Sequence, residues 1–130
     1  MIELRRLDHV GVIVDDLDEA TRLLLAFGLE VGETIDSDDL RVAFFKCGDA
    51  SIELIEPLTA DLRATRLGEG NRARIEHIAL EVGDLGAALT ALGALGVKPN
   101  APPRYLPDRS MFWTEPETSD GIMFQFVQRS

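Results

Sequence analysis

The sequence predicts an α+β fold made of two tandem βαβββ modules, and the first observation behind this prediction is an internal repeat. When the sequence is aligned with itself, the segment LDHVGVIVDDLDEATRLLLAFGLEV matches the later segment IEHIALEVGDLGAALTALGALGVKP. The equivalent pairs include His9 with His77, Asp16 with Asp84 and Gly28 with Gly96. The second observation is that each copy opens with an alternating apolar strand. The third is that an aspartate able to cap a helix, and later a glycine able to end it, follow each strand at the same positions.

Each copy is predicted to contain one strand, one helix and three further short strands. In the first copy these are a strand at 9–14, a helix between Asp16 and Gly28, and strands at 30–36, 40–47 and 50–56. In the second copy they are a strand at 77–82, a helix between Asp84 and Gly96, and strands at 97–102, 109–114 and 121–128. A polar stretch at 66–74, preceded by a short helix at 59–66, is the predicted linker. One domain covering 1–130 therefore contains modules of about 1–66 and about 74–130.

Composition limits the classes of function. A formal charge of −10 and a pI near 4.5 argue against binding to nucleic acid or to an acidic membrane surface, because both would be repelled. The chain shows neither a signal-peptide pattern nor an apolar run of membrane-spanning length, so a cytoplasmic protein is expected. The single Cys47 excludes an internal disulfide and a thiolate metal cluster.

Four polar residues are predicted to share the inner surface of a curved sheet. Side chains alternate across a strand, so His9 lies on the opposite face from the apolar valines that follow it, and His77 does the same in the second copy. Glu53 and Gln125 occupy equivalent places on the closing strands. A histidine on a strand is more often a structural residue, but these are the only histidines and they are repeat equivalents. Imidazole, carboxylate and amide ligands favour one divalent ion such as Co²⁺, Ni²⁺, Mn²⁺, Zn²⁺ or Fe²⁺.

The residues that carry these features resemble the vicinal oxygen chelate superfamily, which includes glyoxalases, bleomycin resistance proteins and dioxygenases. The similar segments are LDHVGVIVDDLDEA, VAFFKCGDASIELIEPL, GEGNRARIEHIALEVGDL and MFWTEPETSDGIMFQFVQ. The resemblance is strongest to methylmalonyl-CoA epimerase and lactoylglutathione lyase. It implies a glyoxalase-like fold, with a curved, incompletely closed sheet around a metal held by His9, Glu53, His77 and Gln125.

Three departures from the family pattern affect the implied chemistry. The last ligand, normally a glutamate that also acts as a base, is the neutral Gln125, and the usual His-His pair reads Glu76-His77. The second base expected near 41–45 has no carboxylate. Glu53 is therefore the candidate catalytic base of a metal-dependent isomerase or epimerase that acts through a metal-stabilised enolate, with Glu81 as a weaker candidate.

Three alternatives stay open alongside the epimerase. They are a glyoxalase I-type lyase acting on a glutathione or thiol hemithioacetal, an Fe(II) dioxygenase, and a non-catalytic drug-resistance binder. An acyl-CoA or thiol adduct is the expected small-molecule substrate, and its anionic part would need cations; those available are Arg72, Arg74, Lys98, Arg104 and Arg109. The chain is also expected to form a homodimer, because its apolar stock is generous for one small domain; the residues concerned are Phe44, Phe45, Phe112 and Trp113.

Overall fold

The structure is a computed structural model that describes residues 2–130. It shows the predicted order of elements twice. The first series is β1 (Leu4–Val14), α1 (Leu17–Ala26), β2 (Glu30–Asp36), β3 (Leu40–Cys47) and β4 (Ala50–Pro57). A short helix α2 (Ala60–Leu62) and a π-helical turn (Arg63–Leu67) follow. The second series is β5 (Ala73–Val82), α3 (Leu85–Ala94), β6 (Arg104–Tyr105), β7 (Arg109–Trp113), a 3-10 turn (Pro116–Thr118) and β8 (Met123–Arg129).

The chain divides into two compact units. One unit is His9–Glu76, and the other joins the segment up to Asp8 with His77–Ser130. Strand β1 therefore contributes to both units, its first half to one and its second half to the other. The modules of about 1–66 and about 74–130 describe the repeat in the sequence and stay a prediction.

In the unit His9–Glu76, the strands run in the order β2-β3-β4-β1. Strand β1 is parallel to β4, and Gly11 is opposite Glu53. Helix α1 begins where Asp16 Oδ1 accepts a hydrogen bond from Glu19 N at 3.1 Å, and it ends before Gly28, which has a φ of +96°. The helix packs on one face of the sheet over an apolar cluster formed by Val14, Leu17, Leu24, Ala43, Phe45 and Leu54. The predicted division between an apolar helix-bearing face and the face of His9 is confirmed for this unit.

The other unit repeats the arrangement, with strands in the order β1-β5-β8-β7-β6. Strand β5 is parallel to β8, and Ala79 is opposite Gln125. Asp84 Oδ1 caps α3 by accepting a hydrogen bond from Ala87 N at 3.0 Å. The helix covers a cluster formed by Val82, Leu85, Ala88, Phe112 and Phe126, in which the two phenylalanine rings stack with centroids 5.3 Å apart. The residue two positions after each histidine therefore pairs with Glu53 in one unit and with Gln125 in the other.

The predicted strand at 97–102 is wrong. Only an isolated bridge between Pro99 and Thr114 forms there, and the next strand is the two-residue β6. Pro99, Pro102 and Pro103 lack the backbone N–H that a ladder of hydrogen bonds needs, so pairing is interrupted until the chain has passed them. Strand β8 begins at Met123 rather than at 121, because Gly121 has a φ of +83° and completes the preceding turn.

No helix within residues 2–130 has the length and apolar character needed to cross a membrane.

Candidate metal centre

One polar contact at the candidate site joins His9 and Glu53. Strands β1 and β4 are parallel neighbours, and this brings His9 Nε2 to 3.2 Å from Glu53 Oε1. The imidazole is buried, and the Glu53 side chain is only 13% exposed. The Phe44 ring stands perpendicular to the imidazole with a centroid distance of 5.4 Å, which limits the ring's rotation. The histidine nitrogen and the carboxylate oxygen are therefore held together in a largely dry environment, where their interaction is stronger than in water.

The second pair, His77 and Gln125, lies on the neighbouring parallel strands β5 and β8, and both side chains are buried. Gln125 Nε2 donates a hydrogen bond to Met111 Sδ at 3.3 Å. This contact leaves Gln125 Oε1 buried and without a hydrogen-bond partner within residues 2–130. A buried amide oxygen without a partner is costly, and a cation is one group that would satisfy it.

Three of the four predicted ligands fall within one small group. His9, Glu53 and His77 each offer one ligand atom, and these atoms all lie within 4.8 Å of one another. Together with the oxygen of Gln125, the donor set is two imidazole nitrogens and two oxygens, one anionic and one neutral. Such a set suits a borderline divalent ion, so the residues present fit the group that the sequence predicted.

A family model described as the Glyoxalase/Bleomycin resistance protein/Dioxygenase superfamily matches residues 6–126. The chain belongs to this superfamily. This confirms the membership that the sequence motifs predicted, and with it the glyoxalase-like fold of two βαβββ modules.

Individual members of the superfamily are similar to the chain at modest identity. An uncharacterized Bacillus subtilis protein, YqjC, is 28% identical over 96% of this chain and 93% of its own length. The mitochondrial methylmalonyl-CoA epimerase of Mus musculus is 32% identical over 69% of this chain. The chain spans about half of that enzyme, since the match covers 53% of it. A variant of Streptomyces coelicolor methylmalonyl-CoA epimerase, solved with 2-nitronate-propionyl-CoA, superimposes with a TM-score of 0.82 at 25% identity over 98% of this chain and 96% of the other.

Strand β3, which covers the region near 41–45 where a second base was expected, carries no carboxylate. Strand β3 places Phe44 directly opposite Glu53. The nearby Arg41 is directed toward acidic groups, with Nη2 at 3.2 Å from Asp18 Oδ1, and this hydrogen bond is the main cause of its raised pKa. The structure therefore supplies no carboxylate from β3 to stand beside Glu53.

The weaker candidate base, Glu81, is held in an ion pair. Arg6 Nε donates a hydrogen bond to Glu81 Oε1 at 2.7 Å, and the carboxylate is mostly buried. Accepting a proton would break this charge-assisted bond, so the contact argues against Glu81 as the base.

Sequence reasoning missed two carboxylates that directly precede the histidines. Asp8 is bound by Arg129, and Glu76 is bound by Arg66. The hydrogen bond to Asp8 is the main cause of the raised pKa of Arg129, and the hydrogen bond to Glu76 is the main cause of the raised pKa of Arg66. The signal that could have found them is the sequence R-x-acid-H, which occurs in both copies of the repeat.

Three of the five cations proposed for an anionic substrate contact other groups of the protein. Arg72 lies 3.5 Å from Glu19, and Arg109 lies 3.2 Å from Asp108. Arg74 Nη1 donates a hydrogen bond to the backbone oxygen of Arg66 at 2.9 Å. Lys98 and Arg104 are exposed. The role of all five in substrate binding stays a prediction.

Proposed function

We propose that this chain is a metal-dependent isomerase or epimerase that moves the α-proton of an acyl-CoA thioester, in a reaction most like that of methylmalonyl-CoA epimerase. The metal ligands in this proposal are His9, Glu53, His77 and Gln125, and Glu53 is also the base. The observation that carries the proposal is the donor set: the grouped His9, Glu53 and His77 atoms, and the buried oxygen of Gln125, which has no hydrogen-bond partner among the residues that the structure describes. The relatives that are methylmalonyl-CoA epimerases support the choice of reaction.

The four residues have distinct tasks in this proposal. The two imidazoles and the amide oxygen are neutral donors, and Glu53 supplies the negative charge that a divalent ion attracts. When bound, such an ion acts as a Lewis acid that polarises a substrate carbonyl and makes the neighbouring C–H more acidic. The Phe44 ring beside His9 helps to exclude water, which would otherwise compete for the proton and for the metal-binding atoms.

Glu53 is the proposed base because it is the one carboxylate among the four proposed ligands. An amide such as that of Gln125 does not accept a proton near neutral pH, whereas a carboxylate can bind a metal through one oxygen and accept a proton on the other. Glu53 Oε1 lies 3.2 Å from His9 Nε2, so the carboxylate stands beside a second proposed metal ligand. Because β3 carries no carboxylate opposite Glu53, Glu53 is the single proposed base. Inversion at the α-carbon then requires the enolate to present its opposite face to Glu53 before the proton returns, since return to the same face restores the starting isomer.

The proposal is tested by incubating metal-loaded protein with methylmalonyl-CoA in D₂O and following deuterium at the α-carbon by mass spectrometry. We expect incorporation that stops when a chelator removes the metal and resumes when Co²⁺ is added back. The hemithioacetal of glutathione and methylglyoxal serves as the comparison substrate for the lyase alternative. Exchange with neither compound would contradict an enzyme that works by α-proton transfer and would favour a small-molecule binder.

A second candidate is an Fe(II) dioxygenase. The grouping of His9, His77 and Glu53 favours it, because two histidines and one carboxylate are the usual ligands of non-heme Fe(II) oxygenases. Gln125 would then accept a bond from substrate or water instead of binding the metal. Oxygen consumption by the anaerobically iron-loaded protein in the presence of a catechol would support this alternative, and exchange without oxygen consumption would exclude it.

A further inference from the structure

The two copies of the repeat share a pattern that the metal ligands alone do not explain. Each histidine is the last residue of an R-x-acid-H sequence, which reads Arg6-Leu7-Asp8-His9 in one copy and Arg74-Ile75-Glu76-His77 in the other. The acidic residue is thus bonded through the main chain to a proposed metal ligand in both places. An acid followed by a histidine would normally point to opposite faces of a strand. Both faces are covered here, because Asp8 and His9 are both buried, as is His77, and the Glu76 side chain is only 6% exposed.

An arginine holds Asp8 through both of its carboxylate oxygens. Arg129 Nε donates to Asp8 Oδ1 at 2.8 Å, and Arg129 Nη2 donates to Asp8 Oδ2 at 2.9 Å. Arg6 Nη2 adds a third bond to Oδ1 at 3.1 Å, while its Nε holds Glu81. Arg129 is the last residue of β8, the strand that carries Gln125. The carboxylate is therefore fixed from two strands at once.

Glu76 is held in the same way by a residue from a different element. Arg66 Nε donates to Glu76 Oε2 at 2.9 Å, and Arg66 Nη2 donates to Oε1 at 2.7 Å. Arg66 comes from the π-helical turn after β4, and Arg74 fixes that turn by donating to the Arg66 backbone oxygen at 2.9 Å. Both carboxylates thus form two-point hydrogen bonds with arginine, the geometry that gives the strongest and most directional ion pairs.

We infer, on the basis of the proposed function, that Asp8 and Glu76 are positioning residues for the metal-binding histidines. The carboxylates are buried, whereas the Arg129 and Arg66 side chains stay 36% and 27% exposed. Burying such a carboxylate with part of its arginine costs desolvation energy that an apolar pair of similar size would avoid. Two hydrogen bonds from one arginine restrain the acidic side chain. They also restrain the peptide unit between the acid and the histidine, and this limits where the imidazole nitrogen can lie. Outer residues that orient metal ligands strengthen metal binding in this way.

The inference is tested by measuring Co²⁺ affinity, by titration calorimetry and by the visible absorption of bound Co²⁺, in Asp8→Asn and Glu76→Gln. Each substitution keeps the size of the side chain but removes the charge that holds the arginine. We expect affinity to fall by about 10- to 100-fold, together with a changed Co²⁺ spectrum. The matched control is Asp18→Asn, which breaks the Arg41–Asp18 ion pair, because that aspartate is 67% exposed. It should bind Co²⁺ as the parent does.

The double variant Arg66→Met/Glu76→Met distinguishes a positioning role of the ion pair from a role in stability alone, because it fills the same space with apolar side chains. Its melting temperature should return to that of the parent or exceed it, because a buried ion pair can be replaced in this way without loss of stability. Its Co²⁺ affinity should stay low if the ion pair positions His77. Recovery of both quantities, or parent-like Co²⁺ binding in the single variants, would overturn the inference. Failure of the parent itself to bind Co²⁺ would overturn the proposed metal site, and this inference with it.

Discussion

Glu53 and Gln125 occupy the same register position in the two halves of the repeat but differ in charge. Glu53 is opposite Gly11 on β1, and Gln125 is opposite Ala79 on β5. Their difference makes the chemistry of the site asymmetric, because the side that carries Glu53 can accept a proton and the side that carries Gln125 cannot.

This asymmetry gives the first prediction, which concerns Glu53→Gln and Gln125→Glu. Glu53→Gln should slow deuterium exchange at the substrate α-carbon by at least about 100-fold, because it removes the only proposed base. Some metal binding should persist through the neutral ligands. Gln125→Glu is the matched control, since it adds a carboxylate at the equivalent position, and it should retain exchange. Undiminished exchange in Glu53→Gln would rule out Glu53 as the base.

At the scale of residues, the sequence was informative where local rules apply. Strand alternation and the repeat are sufficient to place His9 on the face opposite the helix-bearing valines, because both depend on neighbouring residues. The arginine pairs could not be predicted in the same way. Asp8 and Arg129 lie at opposite ends of the chain, and a buried aspartate beside the buried His9 is not expected from local pattern alone. Only the fold brings such partners together.

At the scale of elements, both long helices begin at an aspartate that accepts a hydrogen bond from the chain three residues later. The sequence predicted both caps, because the capping residue is adjacent to the apolar periodicity it starts. The failure at 97–102 has an equally local cause. The apolar and polar residues there alternate as in a strand, but the three prolines remove the donors that pairing requires.

The second prediction tests these caps. Asp16→Ala and Asp84→Ala should each lower the free energy of unfolding by about 1 kcal/mol, because each leaves a backbone N–H at the start of a helix without its acceptor. The effects should add in the double variant, since the helices α1 and α3 are separate. Urea denaturation followed by circular dichroism measures them. Asp16→Asn and Asp84→Asn are the controls and should stay near the parent, because asparagine caps a helix as well as aspartate does.

At the scale of the whole molecule, the repeat predicted the order of strands and helices in both units. What it could not predict is the division of the chain into compact units, in which residues 2–8 belong with the second half of the chain. Backbone pairing of Gly83 N with the carbonyl of Glu3 at 2.9 Å and the Arg6–Glu81 ion pair produce this exchange. Both are long-range contacts that a repeat in the sequence does not encode.

The third prediction concerns assembly into a homodimer. The aromatic residues that first prompted it do not provide a surface, because Phe45 and Phe112 are fully buried in the cores of their units. Other large apolar side chains are exposed instead, among them Leu4, Ile75, Leu95 and Tyr105. We expect sedimentation velocity at micromolar concentration to give twice the mass of the 14.3 kDa chain. A species with the 14.3 kDa mass of one chain throughout this concentration range would contradict the prediction.

The central claim, that His9, Glu53, His77 and Gln125 bind one divalent ion, is tested most directly by titrating metal-free protein with Co²⁺. The parent, His9→Ala and His77→Ala are compared under the same conditions. We predict about one ion per chain for the parent. Each alanine variant should lose more than about tenfold in affinity, because it removes a residue that binds the metal directly and not one that only orients a ligand. Parent-like affinity and stoichiometry in both histidine variants would contradict the claim.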